Sequence, residues 1–189
     1  MKQKYLFTLL LTCFIKLASL AQYYNIDSLK TILKNAKHDT IRCAVLELLA
    51  ENGNEEEGPV FNEQLFKVVE KNAAATGYLK DFYQKYLALA NNNLALTEQN
   101  NNEIEKAIGH YNIAIKISED LNKQEVLGLI YNNMGVLYLD QGDPKKALQC
   151  YEKSLKIYED LKDKNGIAFS IFYIAGVYLN TGEIEKIER

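Results

Sequence analysis

Apolar residues recur at helical spacing along most of the chain, most clearly in the segment from Leu127 to Gln141. Gly142 follows this segment and is the residue type that most readily takes the left-handed conformation that ends a helix. Asp143 then stands where a helix N-cap is expected, and Pro144 occupies the first position of a second helix. One apolar stripe runs along that second helix and consists of Ala147, Leu148, Tyr151, Leu155 and Tyr158. With a loop over residues 162–166, the pattern predicts an antiparallel pair of helices.

This helix pair repeats with a period of forty residues. Residues 103–121 and residues 143–161 share eight identical positions when they are aligned at that offset. The same offset places residues 137–143 on the similar residues 177–183. A single helix pair cannot bury its apolar face alone, and successive pairs do so by stacking on each other. The sequence therefore predicts an all-α protein, an α-solenoid of antiparallel helix hairpins.

The repeating unit resembles the tetratricopeptide repeat. In that family a large residue is followed by Leu-Gly and Tyr in the first helix, and by Ala, an aromatic and a small residue in the second. The unit that starts at Gly128 matches with Tyr131, Met134, Gly135, Tyr138, Ala147, Tyr151 and Ser154. The unit that starts at Ala88 matches with Leu94, Ala95, Ala107, Tyr111 and Ala114, but Glu98 replaces the tyrosine. A third unit, from Ala168, offers Ile171, Ile174, Ala175 and Tyr178, with Ile187 in place of the alanine. The resemblance implies an array of such repeats over residues 78–189, the last of them incomplete.

The segment over residues 22–77 fits the repeat pattern poorly, although it still has the features of helices. We predict helices over residues 25–36 and 39–50, and a third helical segment that Pro59 opens and Gly77 ends. This part is expected to be a degenerate helical N-terminal unit or a cap. An acidic, glycine-containing loop covers residues 52–58. Its carboxylates are consecutive and lack the spacing of cation ligands, which favours a solvated loop over a cation site.

The first 21 residues have the layout of a secretory signal peptide. Two lysines precede an apolar run over residues 6–15, and small residues close the segment at Ala21. Lys16 cuts the run short of the roughly 20 apolar residues that a membrane span needs. The alternatives are an uncleaved anchor and a lipoprotein lipidated at Cys13, and both fit the flanking residues less well. We expect cleavage near Ala21 and an exported protein, periplasmic or secreted.

Beyond Ala21 the chain carries 19 basic and 25 acidic side chains, a net charge of −6, which argues against nucleic acid as a partner. His38 and His110 lie 72 residues apart, and neither has neighbouring residues at metal-ligand spacing. The sequence contains no glycine-rich phosphate loop and no nucleophile motif. It therefore predicts a non-enzymatic protein without a cofactor or a metal site. We expect Cys43 and Cys150 to be small buried apolar residues and not to form a disulfide.

The resemblance also implies a binding site, because the first helices of such repeats line a concave groove. The candidate ligand-binding residues at equivalent places in successive units are Leu89, Asn93, Leu129, Asn133, Val136 and Tyr173. An amide can both donate to a peptide carbonyl and accept from a peptide N–H, so Asn93 and Asn133 are the best candidates to hold an extended peptide. The alternative is that these two amides satisfy neighbouring helix ends. Since Lys and Arg are absent from these positions, the predicted ligand is an apolar or neutral protein segment.

Two functions remain open from the sequence. The first is a non-catalytic protein- or peptide-binding scaffold that acts outside the cytoplasm. The second is the N-terminal sensory segment of a membrane signalling protein (a histidine kinase, cyclase or transcription regulator), because the forty-residue units and the start of the chain resemble such exported arrays. The incomplete last repeat is expected to leave apolar side chains partly open, namely Phe169, Phe172, Tyr173, Tyr178 and Leu179. Self-association, or continuation of the array, would cover them, and the mature chain is not expected to span a membrane.

Overall fold

A computed structural model describes residues 25–183, and all regular secondary structure in this part of the chain is helical. The helices are α1 Ile26–Asn35, α2 Asp39–Asn52, α3 Glu57–Lys71, α4 Tyr78–Asn100, α5 Ile104–Asp120, α6 Gln124–Asp140, α7 Pro144–Leu161 and α8 Lys164–Thr181. The predicted all-α class and the solenoid of helix hairpins are confirmed. The predicted signal peptide, residues 1–21, and Ile187 lie outside the described residues.

The helices form pairs that stack along the chain. Helix α2 packs on α3, α4 on α5 and α6 on α7, and α8 continues the stack by packing on α7. The forty-residue period appears directly in the starts of the helices, since α5 begins at Ile104 and α7 at Pro144, while α6 begins at Gln124 and α8 at Lys164.

Each turn after α4 contains one residue in the left-handed conformation. These residues are Asn102, Asn122, Gly142, Lys162 and Gly182, with φ values of 60°, 52°, 72°, 56° and 77°. They are spaced twenty residues apart, and α5, α6, α7 and α8 each begin two residues after one of them. A left-handed residue directs the chain away from the helix that it ends. One helix with its turn is therefore the smaller building unit, and two such units make the repeat.

Side-chain caps explain where the sequence-based boundaries were right and where they were wrong. Asp143 accepts a hydrogen bond from the backbone N–H of Lys146, with Pro144 in the first turn, as predicted. The predicted loop over residues 162–166 is too long, because the Asp163 side chain caps α8 and allows the helix to begin at Lys164. Helix α6 also begins three residues before Leu127 and ends one residue before Gln141.

The N-terminal unit is a helix hairpin, α2 with α3, that packs against α4, and α1 packs on α2. The prediction that Pro59 opens the third helix and Gly77 ends it is wrong. The Asn54 side chain accepts hydrogen bonds from the backbone N–H groups of Glu56 and Glu57, at 3.1 and 2.8 Å, so α3 begins before the proline. Within residues 25–183 no group of His, Cys, Asp or Glu side chains has the arrangement of a metal site.

Close approach between the helices depends on small residues facing tyrosines. Ala107 and Ala147, at the same position of successive repeats, are fully buried. Tyr111 and Tyr151 also share one repeat position and are fully buried. A Cβ atom added to Gly135 would collide with the Tyr151 ring. The Tyr158 ring is held in the same way between two further glycines, at positions 128 and 166. Much of the second-helix stripe is thus core, as its spacing predicted.

Cys43 and Cys150 are both buried and free, which confirms the expectation that they pack as small apolar residues. None of the helices between residues 25 and 183 is long and apolar enough to cross a membrane.

Candidate functional site

The first helices of the pairs lie side by side on one face of the array. Helix α2 contacts α4, α4 contacts α6 and α6 contacts α8, whereas the second helices α3, α5 and α7 make no contact with one another. Neighbouring helices are therefore closer together on the first-helix side. A stack that is closer on one side curves toward that side, so the first helices line the inner face.

Three asparagines on this face form a chain of hydrogen-bonded amides between α4 and α6. Nδ2 of Asn133 donates to Oδ1 of Asn92 across 2.9 Å, and Nδ2 of Asn92 donates to Oδ1 of Asn93 across 3.3 Å. Asn92 is 2% exposed and so lies in the contact between the two helices. We call Asn92, Asn93 and Asn133 the amide chain. It links two successive repeats through side chains alone.

Both ends of the amide chain have spare hydrogen-bonding capacity. Nδ2 of Asn93 is buried and has no partner, although an amide nitrogen carries two donors. Oδ1 of Asn133, at the other end, accepts no hydrogen bond from the described residues. A buried donor without a partner is uncommon and costs free energy, so the unpaired Nδ2 of Asn93 needs an explanation.

The other predicted contacts divide into packed and accessible residues. Leu89 is only 5% exposed and belongs to the core, so it offers a ligand little surface. Leu129 and Val136 are half-buried beside the amide chain. Tyr173 is also half-buried and stacks on Tyr151, with the two ring centroids 5.1 Å apart. The ligand-binding roles of these residues, and of Asn93 and Asn133, stay predictions.

The alternative, in which the two asparagines satisfy helix ends, does not match the observed hydrogen bonds. The partners of Asn93 and Asn133 are other side-chain amides near the middle of the helices. Asn132, next to Asn133, is instead 6% exposed and accepts a hydrogen bond from Oγ of Ser170 on α8 at 3.3 Å. Contacts between first helices thus use asparagines in two successive repeats.

A second buried donor without a partner is the hydroxyl of Tyr151. In the preceding repeat the Tyr111 hydroxyl donates to Oε1 of Gln99 at 3.3 Å. Leu139 occupies the place of Gln99 one repeat later, and its apolar side chain cannot accept. Burial raises the pKa of the Tyr151 hydroxyl well above its usual range, so the group stays a donor. Its ring stacks on Tyr173 at the inner face.

An acidic pair on α2 was missed in the sequence. Burial raises the pKa of Glu47 above its ordinary range, the neighbouring Glu51 carboxylate raises it further, and Lys85 on α4 opposes them. Burial is also the main cause that raises the pKa of Glu51. The spacing of four residues places both side chains on one face of α2, which was the available signal.

Glu98 and His110 also form a pair that was not predicted. Oε2 of Glu98 lies 2.7 Å from Nδ1 of His110, and the side chains are 12% and 30% exposed. Tyr138 and Cys150 occupy the two equivalent places one repeat later. The departure of Glu98 from the repeat pattern is therefore matched by a polar partner on the facing helix. His110 thus contacts the facing helix through a polar pair.

A family model for the tetratricopeptide repeat matches residues 86–160, which include most of α4 and all of α5, α6 and α7. Residues 86–160 belong to the tetratricopeptide repeat family. Repeats of this family generally act as protein-interaction scaffolds, without catalysis of their own. The amide chain lies within the matched residues.

Comparison with solved structures supports the same fold over more of the chain. The crystal structure of BtubC (BKLC) from P. vanneervenii aligns with 93% of this chain and 69% of its own, with a TM-score of 0.62 and 22% identical residues. At this identity the likeness shows the fold alone. The helical repeat architecture therefore extends beyond the tetratricopeptide repeats at residues 86–160. A search of curated proteins finds no match by sequence.

Proposed function

We propose that this protein is a non-catalytic scaffold that binds an extended protein segment on the inner face, between α4 and α6. The observation that carries the proposal is the amide chain, which has a free donor at Asn93 and a free acceptor at Asn133. The backbone of an extended peptide offers the complementary pair, a carbonyl for Asn93 and an N–H for Asn133. Because Nδ2 of Asn93 is buried in the unbound protein, the side chain must turn toward the inner face to reach a peptide carbonyl, and binding would then give this donor the partner that it lacks.

The surroundings of the amide chain favour an apolar or neutral segment. Leu96, Leu129 and Val136 flank the asparagines, and all three are half-buried and uncharged. A buried carboxylate or ammonium group of a ligand would need an opposite charge there, and these flanking residues supply none. Tyr173 adds an aromatic surface at the far side, where it stacks on Tyr151.

A screen of displayed peptides against the chain from Gln22 to Arg189 tests this proposal. The selected peptide is then titrated against Asn93→Ala, Asn133→Ala and the control Asn112→Ala, whose exposed side chain lies on the second helix α5. We expect each inner-face substitution to weaken binding by about 1–3 kcal/mol, because a buried peptide group loses its partner. The control should bind like the parent. If both inner-face variants bind as tightly as the parent, the site is elsewhere.

We further propose that the scaffold acts outside the cytoplasm, in the periplasm or after secretion. The support is the layout of residues 1–21, with basic residues, a short apolar run and small residues before Ala21. The expected mature N-terminus is Gln22. Mass spectrometry of the protein from a bacterial host with an export pathway checks it, and a cytosolic product that retains Met1 would contradict it.

The second candidate function is a sensory segment of a membrane signalling protein, supported by the predicted export signal and the forty-residue repeat units. In that case ligand binding on the inner face would be the input to an effector domain encoded downstream. The genomic reading frame distinguishes the two functions. An apolar span of about 20 residues followed by kinase, cyclase or DNA-binding motifs favours the sensor, and a stop codon after Arg189 favours the separate scaffold.

A further inference from the structure

One stripe of α8 is exposed and apolar. It consists of Phe169, Phe172, Gly176 and Leu179, and we call it the terminal stripe. The side chains of Phe169, Phe172 and Leu179 are 61%, 72% and 60% exposed. The spacing of three, four and three residues places all four on one face of the helix. The segment from residue 165 to residue 180 contains no charged side chain.

The equivalent stripes of α4 and α6 are the surfaces on which the next first helix packs. On α4 the residues equivalent to Phe169 and Phe172 are Leu89 and Asn92, which are 5% and 2% exposed, and Asn92 accepts a hydrogen bond from Asn133 of α6. Gln99, equivalent to Leu179, donates a hydrogen bond to Asp140 of α6 at 2.9 Å. Among residues 25–183 no helix lies on the terminal stripe. The terminal stripe therefore has the positions on which a further first helix would pack, and no described helix covers it.

We propose that the terminal stripe binds the terminal stripe of a second copy of this chain, as an antiparallel helix pair related by a two-fold axis. An axis at the level of Ile174 sets Phe172 of each copy opposite Gly176 of the other, because these residues lie two positions on either side of Ile174. It also sets Phe169 opposite Leu179, five positions on either side. Phe172 then faces the small Gly176, and Phe169 faces the apolar Leu179.

The space at Gly176 suits this arrangement. Apart from the adjoining residues and the backbone of α8 itself, no atom of the described residues lies within 4 Å of where a Cβ of Gly176 would be, so a side chain from outside can approach the backbone there. Phe172 is the most exposed large apolar side chain in the described part of the chain, and in the dimer it would pack over Gly176 of the other copy. Interdigitation of a large residue over a small one is the packing that brings two helices close together.

Area and charge agree with a weak, reversible dimer. The exposed parts of Phe169, Phe172 and Leu179 amount to about 400 Å² per copy, which is the size of the largest apolar patch on a typical monomer, and such patches are often functional. Two copies with their flanking residues would bury about 1,000 Å² in total, near the lower limit for a specific interface. The stripe carries no charge that would repel itself, and antiparallel helices align their dipoles favourably.

Sedimentation velocity of the chain from Gln22 to Arg189, over a wide range of concentrations and without peptide, tests the proposal. We expect a concentration-dependent dimer. Phe172→Glu should weaken it at least tenfold, because two carboxylates would be buried. Ile113→Glu is the matched control, since Ile113 is 47% exposed on α5 and lies outside the stripe. The dissociation constant of the dimer should be the same for this variant as for the parent.

Gly176→Leu separates dimerisation from folding. In the monomer the new side chain extends from α8 into open space. The change also replaces a glycine inside a helix, so the melting temperature should stay the same or rise. The same change fills the space that receives Phe172 of the other copy, so the dimer should weaken at least tenfold. A monomeric parent at all concentrations, or a dimer unchanged by both Phe172→Glu and Gly176→Leu, overturns the proposal. If removal of residues 184–189 converts a monomeric parent into a dimer, those residues cover the stripe and the proposal is also wrong.

Discussion

Nδ2 of Asn133 on α6 donates a hydrogen bond to Oδ1 of Asn92 on α4, so two successive repeats are joined by one pair of amides. Because Asn92 is 2% exposed, water cannot replace Asn133 as its partner. The amide of Asn133 therefore has two tasks, since it holds α4 against α6 and leaves its own oxygen free at the inner face. Stability and the proposed ligand binding are therefore linked at this residue.

We expect Asn133→Ala to lower the free energy of unfolding by about 1–3 kcal/mol, because it leaves the buried oxygen of Asn92 without a donor. Asn93→Ala should cost less, because it also removes a buried amide nitrogen that has no partner in the native state. Urea unfolding of both variants measures the difference. Equal losses, or a larger loss for Asn93→Ala, would contradict this assignment of the amide chain.

Ala147→Leu should destabilise the protein by about 1–3 kcal/mol, because Ala147 is fully buried where α7 meets α6 and the extra atoms overpack the crossing. The control is Gln149→Leu, an exposed position on the same helix, which should change the unfolding free energy little. Thermal or urea unfolding followed by circular dichroism compares them. An unchanged melting temperature for Ala147→Leu would mean that the crossing has room.

Lys162→Gly should stabilise the protein by about 1 kcal/mol, because Lys162 is held at a φ of 56° and glycine takes this conformation without steric cost. Lys156→Gly, inside α7, should instead destabilise it by about 1 kcal/mol, since glycine is a poor helix former. Opposite shifts of the urea midpoint for the two lysines are the expected result. A loss of stability in both would show that the turn does not strain Lys162.

The unfolding free energy should depend on pH through Glu47. Its raised pKa means that the folded protein binds this proton more tightly than the unfolded chain does. The contribution to stability is therefore complete below the ordinary carboxyl range and is lost as the pH rises through the folded pKa. Glu47→Gln should gain about 1 kcal/mol relative to the parent at about pH 8, and less at about pH 5.

Glu63→Gln is the control for this effect, because the exposed Glu63 pairs with Lys67 and its pKa is lowered. It should show no gain at the higher pH. Urea unfolding at both pH values measures the two variants. A Glu47→Gln variant whose advantage is the same at both pH values would refute the role of the Glu47 carboxyl.

The repeat architecture was predictable because its signals are local. Gly142 and Pro144 mark one turn strongly, and the forty-residue offset transfers that turn to the neighbouring units. The twenty-residue spacing of left-handed residues could not be predicted from the sequence. Three of these residues are Asn102, Asn122 and Lys162, and they indicate this conformation much less strongly than glycine does. Helix starts shifted by two or three residues where the side chains of Asn54 and Asp163 accept hydrogen bonds from backbone N–H groups at the start of the helix.

The inner face was less predictable because it depends on how the helices stack. The repeat pattern placed Leu89 with Asn93 and Asn133 among the groove residues, but Leu89 is buried in the core and Asn92 is buried where α4 meets α6. How closely neighbouring repeats approach is a property of the whole stack. The pairing of Glu98 with His110 was equally hidden, because neither residue follows the pattern and their contact bridges two helices.

The left-handed residues at twenty-residue intervals make the array sensitive to the parity of insertions. A duplicated segment of forty residues adds one helix of each kind and keeps every later helix on its own side. A duplicated segment of twenty residues would exchange the two sides for all later helices, and residues such as Val136 and Tyr173 would move from the inner face to the outer one. The array therefore keeps its inner face only when it lengthens by even steps of its smaller unit, and growth by odd steps would move the proposed binding surface to the outer side.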